Sequence, residues 1–213
     1  LVRTLTTRLH YRMEVILCGP GPLKLEFEAV SRVHDFSAVV LTRTDRVAVL
    51  RELYERGARL AFCNTCVVGE VAEMLKTAGF TVVSLIHELP GIIRTLELGA
   101  SARQIAAHAD YLVFPANVVR DGFKTMVGTT DAKLVVQPQG LLTPNRWLGL
   151  REAAREHVRA TLGIARHARI VLGVGHADHR KGVDLFIEAG LRVLDRDEDV
   201  RFVWVGRQEP AVC

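Results

Sequence analysis

The chain has 213 residues, 49% of them hydrophobic, and carries a formal net charge of +4 at pH 7. A chain of this length and composition can bury a sizeable core, in one large domain or two small ones. Acidic and basic residues are interleaved without a basic block, which argues against nucleic acid as a partner and allows anionic substrates or an anionic membrane surface. No apolar run approaches the roughly 20 residues that span a bilayer, and no signal-peptide pattern opens the chain, so a cytoplasmic location is expected.

Short apolar, β-branched runs alternate with amphipathic stretches, a pattern typical of a parallel sheet covered by helices. The predicted strands are 13–18, 30–34, 37–41, 59–63, 81–86, a strand within 109–115, 132–137, 170–174 and 200–205. The predicted helices are the end of one within 1–12, then 23–29, 45–57, 68–78, 99–108, 118–126, 151–162 and 183–194. Asp45 is the predicted cap of helix 45–57.

The stretch 170–189 places a glycine-opened loop and a basic pair, Arg180 and Lys181, between a strand and a helix. Both cations fall at the predicted helix N-terminus, where backbone N–H groups and the helix dipole already favour an anion. Because two cations repel that end of the dipole, a bound phosphate would resolve the conflict. The alternative interpretation is a pair of solvated loop charges with Gly182 as a turn.

Residues 175–184, Gly-His-Ala-Asp-His-Arg-Lys-Gly-Val-Asp, resemble the phosphate-binding segment of family 4 glycosyltransferases of the GT-B type. In that family a strand leads to Gly-Arg, a four-residue loop, and then Lys-Gly-Val-Asp and a helix. His176 stands here where the family has its first arginine, and Arg180 is the obvious substitute. The resemblance implies that Gly175, His176, Arg180 and Lys181 bind the donor phosphates, and that Lys181 is catalytic.

His87 and Glu88 follow the predicted strand 81–86, at the strand end where ligands gather in parallel sheets. Taken alone, His87 also fits a structural, hydrogen-bonded role. His-Glu-Leu-Pro after a strand resembles the first-domain loop of the same glycosyltransferases, in which a strand-end histidine faces the interdomain cleft and contacts the substrates. The resemblance therefore implies a catalytic His87. Glu88 would either hold the imidazole tautomer or face acceptor hydroxyls.

Asn117 and Gly140 are the other candidate cleft contacts. Asn117 stands just past the strand within 109–115, where the family usually has Ser or Thr, and its amide can both donate and accept hydrogen bonds. Pro-Gln-Gly at 138–140 resembles the loop that closes the first domain of the family. Gly140 would allow the backbone to approach a ligand or to turn sharply.

The resemblance implies an α/β, GT-B-like architecture with two Rossmann-like parallel-sheet domains, both incomplete in this chain. The predicted boundaries are 1–142 for the acceptor-side domain without its start, 143–165 for a linker and helix, and 166–213 for the first βαβ unit of a truncated nucleotide-sugar-binding domain. The Glu-x7-Glu segment that holds the donor sugar and ribose in the family would lie beyond residue 213. The chain alone is therefore expected to be inactive.

The activity implied by the resemblance is transfer of a sugar from a nucleotide diphosphate sugar to an acceptor hydroxyl, with retention of configuration and without a metal or other cofactor. The implied partners are the nucleotide sugar and a glycan or lipid-linked acceptor. Cell-surface polysaccharide synthesis, with peripheral association at the inner face of the membrane, fits the family.

Other functional classes explain parts of the same pattern. A sugar-nucleotide epimerase of GT-B fold shares the architecture, and a degenerate, non-catalytic anion-binding domain would account for His176 and for Ala116 in place of a polar residue. A nicotinamide-dependent oxidoreductase is suggested by the glycines of 173–175. That class needs a third glycine where Asp178 stands and an acidic residue where Gly206 stands.

Two further groups of residues raise redox or metal chemistry. Cys63 and Cys66 form a C-x-x-C ahead of a helix, which indicates either a redox pair or coincidental packing cysteines. One such pair supplies only two zinc ligands. His176 and His179 lie close to Asp178, but a third metal ligand is not apparent in the sequence. We therefore predict no metal site.

Overall fold

The computed structural model describes residues 1–37, 41–140 and 144–207. The chain divides into two compact units, Leu1–Gly140 and Leu141–Cys213. The domain boundary predicted after residue 142 and most of the predicted strand 37–41 lie outside the described residues, as does Cys213.

Helices and strands alternate along the first unit except between β4 and β5, where two helices follow one another. Its helices are α1 (Val2–Thr7), α2 (Lys24–Glu28), α3 (Arg43–Glu55), α4 (Gly69–Thr77), α5 (Pro90–Thr95), α6 (Gly99–His108) and α7 (Asn117–Val127). Its strands are β1 (Glu14–Leu17), β2 (Arg32–Asp35), β3 (Leu60–Asn64), β4 (Thr81–Leu85), β5 (Tyr111–Phe114) and β6 (Lys133–Val136). A 3₁₀ turn, Cys66–Val68, joins β3 to α4.

The second unit contains one strand–helix–strand repeat preceded by a helix. Its elements are α8 (Arg151–Leu162), β7 (Arg169–Val174), α9 (Val183–Leu194) and β8 (Val200–Val205). A 3₁₀ turn, His179–Lys181, precedes α9. None of the helices in the described part of the chain has the length and hydrophobicity needed to cross a bilayer.

All strand pairs among the described residues are parallel. β1 pairs with β2, β7 pairs with β8, and the strands β3-β4-β5-β6 form a sheet in that spatial order. Parallel neighbours place their carboxyl ends at one edge, and a helical connection returns the chain to the opposite edge each time. The segments that follow β3, β4, β5 and β6 are therefore neighbours in space, which is what positions the candidate site.

The core of the first unit is built from apolar faces of its helices and the sheet. Its largest fully buried side chains are Phe114, Phe123, Leu50, Met74, Ile86, Ile93, Ile105 and Leu112. The start of α4 packs closely on α6, because a Cβ at Gly69 would lie 2.5 Å from the Ser101 carbonyl oxygen. The Ser101 hydroxyl accepts from the Gly69 N–H at 2.8 Å and donates to the Cys66 carbonyl at 2.6 Å. α6 thereby satisfies backbone groups at the start of α4 that α4 cannot satisfy itself.

Three half-buried aromatic rings pack together in the second unit. Phe186 of α9 packs edge-on against Phe202 and Trp204 of β8, with ring centroids 5.3 and 5.2 Å apart. Gly173 of β7 makes room for the indole, since a Cβ there would lie 2.3 Å from a Trp204 ring carbon. The strand pair and α9 are held together by these rings.

The start of α3 corrects one sequence prediction. Asp45 is not the cap: Thr42 is the N-cap, and its hydroxyl accepts from the Asp45 N–H while the Asp45 carboxylate accepts from the Thr42 N–H. This reciprocal arrangement is a capping box with aspartate in the third helical position. The missed helix α5 is short and begins with a proline, which suits the first turn of a helix.

Replacing Thr42 by alanine is expected to lower the free energy of unfolding by about 1 kcal/mol, because the Asp45 N–H loses its acceptor. Urea denaturation followed by circular dichroism measures the difference. The matched control is Thr44→Ala, an exposed threonine in the same first turn, which should change stability far less. Equal effects of the two substitutions would contradict the capping role.

Candidate functional site

Polar side chains stand at the carboxyl ends of all four strands of the β3-β4-β5-β6 sheet. In strand order these are Asn64 at the end of β3, His87 and Glu88 after β4, Asn117 at the start of α7 after β5, and Gln139 after β6. The candidate residues predicted in the first unit thus lie along one edge. Asn64 and Gln139 were not predicted.

His87 is held by two amide side chains. Its Nε2 lies 2.9 Å from the Asn64 Oδ1, and its Nδ1 lies 2.6 Å from the Gln139 Nε2. An amide oxygen can only accept and an amide nitrogen can only donate. With the amides in these orientations, the two contacts fit a ring that has its proton on Nε2 and accepts at Nδ1.

The Glu88 carboxylate accepts from the Thr65 hydroxyl and from backbone N–H groups at this edge, and not from the His87 ring. One carboxylate oxygen accepts from the Thr65 hydroxyl and, at 3.1 Å, from the Cys66 N–H; the other accepts from the His87 N–H at 3.1 Å. Burial alone would raise the pKa of Glu88, but these hydrogen bonds outweigh it and lower that pKa below the ordinary 4.5. The ionised Glu88 carboxylate thus links the segments that follow β3 and β4 through hydrogen bonds.

Thr65, which donates to Glu88, has an unusual backbone conformation. Its φ is 132°, a value that β-branched residues rarely adopt and that costs of order 1–3 kcal/mol. Besides donating to Glu88, the Thr65 hydroxyl accepts from the Val67 N–H at 3.4 Å. Such strained residues cluster at functional sites and persist where surrounding contacts hold them.

Glu88→Gln is expected to lower stability by about 1 kcal/mol at pH 7, a figure that allows for the partial exposure of the carboxylate. Because the folded pKa lies below 4.5, this contribution is present above pH 4.5 and is lost as the pH falls through the folded pKa. Denaturation curves between pH 3 and pH 7 should show wild type and variant converging on the acid side. The exposed Glu55→Gln serves as control, and a constant gap at all pH values would contradict the assignment.

Cys63 and Cys66 are both buried and unpaired. Burial raises the pKa of the Cys63 thiol to about 12 and also raises the pKa of Cys66, where the nearby Glu88 carboxylate adds to the effect. A thiol that stays protonated at neutral pH is a poor nucleophile. These features favour packing cysteines over a redox pair.

In the second unit, Gly175 and Lys181 come together at the carboxyl end of β7. A Cβ added at Gly175 would meet the aliphatic stem of Lys181 at 3.5 Å, and the Gly175 φ of 147° is one that side chains rarely adopt. Asp178 caps the 3₁₀ turn by accepting from the Lys181 N–H at 2.8 Å. The loop therefore carries Lys181 back over the strand end, immediately before α9.

The carboxyl end of β8 closes against the same loop. The Gly175 carbonyl accepts from the Trp204 Nε1 at 2.9 Å, and a Cβ at Gly206 would lie 1.8 Å from that carbonyl oxygen. The Ala177 N–H donates to the Arg207 carbonyl at 2.7 Å. Two glycines are thus needed for the loop to pass β8 at this distance.

The other predicted phosphate contacts lie in the same loop. His176 is exposed next to Gly175, and Arg180 lies in the 3₁₀ turn beside Lys181. The His179 Nδ1 lies 3.2 Å from a carboxylate oxygen of Asp184, the acidic residue in the first turn of α9. Within residues 1–37, 41–140 and 144–207, no three His, Cys, Asp or Glu side chains form a group that could hold a metal ion.

The chain is α/β with parallel-strand sheets, as predicted from the sequence, and its fold matches Rossmann-like structures of the GT-B type. Among solved structures, the chain is similar to HepE of Anabaena in complex with UDP, with a TM-score of 0.72 and 18% identity over 95% of this chain and 56% of that one. It is also similar to HepE of Anabaena in complex with UDP-glucose, with a TM-score of 0.65 and 18% identity over 91% of this chain and 52% of that one.

The chain therefore spans about half the length of these solved structures. No protein-family model matches the chain, and no curated protein matches it. At 18% identity the likeness to HepE concerns the fold.

Proposed function

We propose that the chain is part of a nucleotide-sugar-dependent glycosyltransferase, of family 4 by its motifs, which transfers a sugar from a nucleotide diphosphate to an acceptor hydroxyl. The observation that carries the proposal is the Gly175 loop, which sets the Lys181 stem over the end of β7 directly before α9. The fold likeness to HepE, whose structures contain UDP and UDP-glucose, supports a uridine nucleotide as the donor carrier.

The proposed chemistry follows from the charge that develops on the leaving group. Cleavage of the bond between sugar and diphosphate builds negative charge on the diphosphate, which fixed cations and backbone N–H groups stabilise. Lys181 would supply the cation, with Arg180 and His176 in the same loop and the N-terminal N–H groups of α9 beside it. Retention of configuration and independence of a metal belong to the proposal through the family motifs.

The first unit would bind the acceptor. His87, with Asn117 and Gly140 along the same sheet edge, would meet sugar and acceptor hydroxyls. A glycan or lipid-linked acceptor, cell-surface polysaccharide synthesis and a cytoplasmic location at the inner face of the membrane complete the proposal.

Titration of the chain with UDP, UMP and uridine, followed by amide NMR, tests the phosphate site. We expect UDP to shift the amide signals of Gly175, Lys181 and Gly182 at concentrations at least about tenfold below those needed for uridine, because a charge-assisted phosphate contact is worth more than 1.4 kcal/mol. Equal responses to UDP and uridine would contradict the assignment. Incubating the longer protein with UDP-glucose and an acceptor then separates the classes: a transferase releases UDP as the sugar passes to the acceptor hydroxyl, whereas an epimerase yields a second UDP-sugar.

A further inference from the structure

The environment of His87 assigns roles to two residues that the sequence did not single out. We propose that Asn64 and Gln139 are positioning residues that hold the His87 ring in its Nε2–H tautomer at the carboxyl edge of the sheet. The proposal rests on the proposed function only in taking His87 as a residue of the transfer site.

Two hydrogen bonds agree on the tautomer. The Asn64 Oδ1, 2.9 Å from Nε2, requires a proton on that nitrogen, and the Gln139 Nε2, 2.6 Å from Nδ1, requires a lone pair there. A ring with its proton on Nδ1 would lose both contacts, because two donors would face each other at Nδ1 and two acceptors at Nε2.

The two amides approach the ring from different strands of the sheet. Asn64 ends β3, which pairs with β4, and Gln139 follows β6, which is separated from β4 by β5. The position of Asn64 is fixed in turn by the next residue, Thr65, whose hydroxyl and strained backbone are tied to Glu88. The ring orientation is therefore set by the folded sheet and not by its own loop alone.

The tautomer determines what a substrate hydroxyl meets at His87. A hydroxyl that takes the place of Asn64 meets a donor at Nε2, and one that takes the place of Gln139 meets an acceptor at Nδ1. Orienting groups of this kind fix the role of a histidine in other sites. Asn64 and Gln139 thus define which polar group binds on each side of the ring.

Long-range 1H–15N correlation of the histidine rings, recorded at neutral pH without nucleotide, tests the proposal. The His87 signals are identified by their loss in His87→Gln. We expect the wild-type pattern of the Nε2–H tautomer. A pattern with the proton on Nδ1 would overturn the proposal, and this outcome does not depend on any variant folding.

Variants test the two amides separately. Gln139→Glu replaces the donor by an acceptor and should bring a proton to Nδ1, so that the wild-type pattern is lost, while Gln137→Glu, an exposed glutamine two residues away, should leave the pattern unchanged. Asn64→Leu should give a mixture of tautomers, and Asn64→Asp, which retains the acceptor, should restore Nε2–H. An unchanged pattern in folded Gln139→Glu would overturn the positioning role. Because no nucleotide is present, failure of UDP to bind would leave these results intact.

Discussion

Lys181→Ala is expected to lower the rate of sugar transfer by about 100-fold in the protein that carries this chain, the scale of losing one preorganised donor to a developing oxyanion. The Lys181 stem lies against Gly175 at the strand end, so truncation removes the ammonium without disturbing the core. UDP release from UDP-glucose in the presence of acceptor measures the rate.

Lys124→Ala, an exposed lysine in the last turn of α7, is the matched control and should retain the wild-type rate. Lys181→Arg keeps the charge but not the compact ammonium, and should recover part of the loss. A Lys181→Ala protein with undiminished turnover would remove Lys181 from the mechanism. A fall in kcat with an unchanged KM would place the Lys181 contact in the transition state.

Gly206→Ala is expected to destabilise the second unit by about 3 kcal/mol. A Cβ at this position would lie 1.8 Å from the Gly175 carbonyl oxygen, and the Gly206 φ is 157°. Steric overlap with backbone and a disfavoured conformation each cost of order 1–3 kcal/mol. The Gly175 loop would have to move, so phosphate binding should weaken together with stability.

Tryptophan fluorescence during urea denaturation follows this change selectively, because the two tryptophans of the chain, Trp147 and Trp204, both belong to the second unit. The control is Arg155→Ala, an exposed residue of α8 in the same unit, which should leave the fluorescence midpoint close to that of wild type. A urea midpoint of Gly206→Ala equal to that of wild type would contradict the prediction, because it would show that the Gly175 loop accommodates a Cβ at position 206.

Elements with strong local signals were predicted well from the sequence. The β-branched run of β8 and the periodic helices α6 and α8 begin and end at the predicted residues. The cap of α3 was misplaced by three residues, because threonine and aspartate are both good caps and only their reciprocal bonding distinguishes them. α5 was missed because six residues give too short a periodic pattern.

The candidate site was predicted only in part, for a physical reason. Strand ends identify His87, and the lysine motif identifies Lys181. The partners of His87 come from residues 23 and 52 positions away along the chain, and the second reaches past an intervening strand. No local pattern marks Asn64 or Gln139. Likewise, the hydrogen bond between Thr65 and Glu88 depends on tertiary structure that sequence periodicity does not encode.

The spatial order of the strands has a consequence for synthesis on the ribosome. In the β3-β4-β5-β6 sheet each strand adds to the outer edge of the one before it, so the sheet can grow in the order in which the polypeptide emerges. Asn64 and His87 can meet as soon as β4 docks, whereas Gln139 arrives only with β6. Because Gln139 follows the last strand of this sheet to emerge, the second hydrogen bond to the imidazole can form only after β6 has been synthesised.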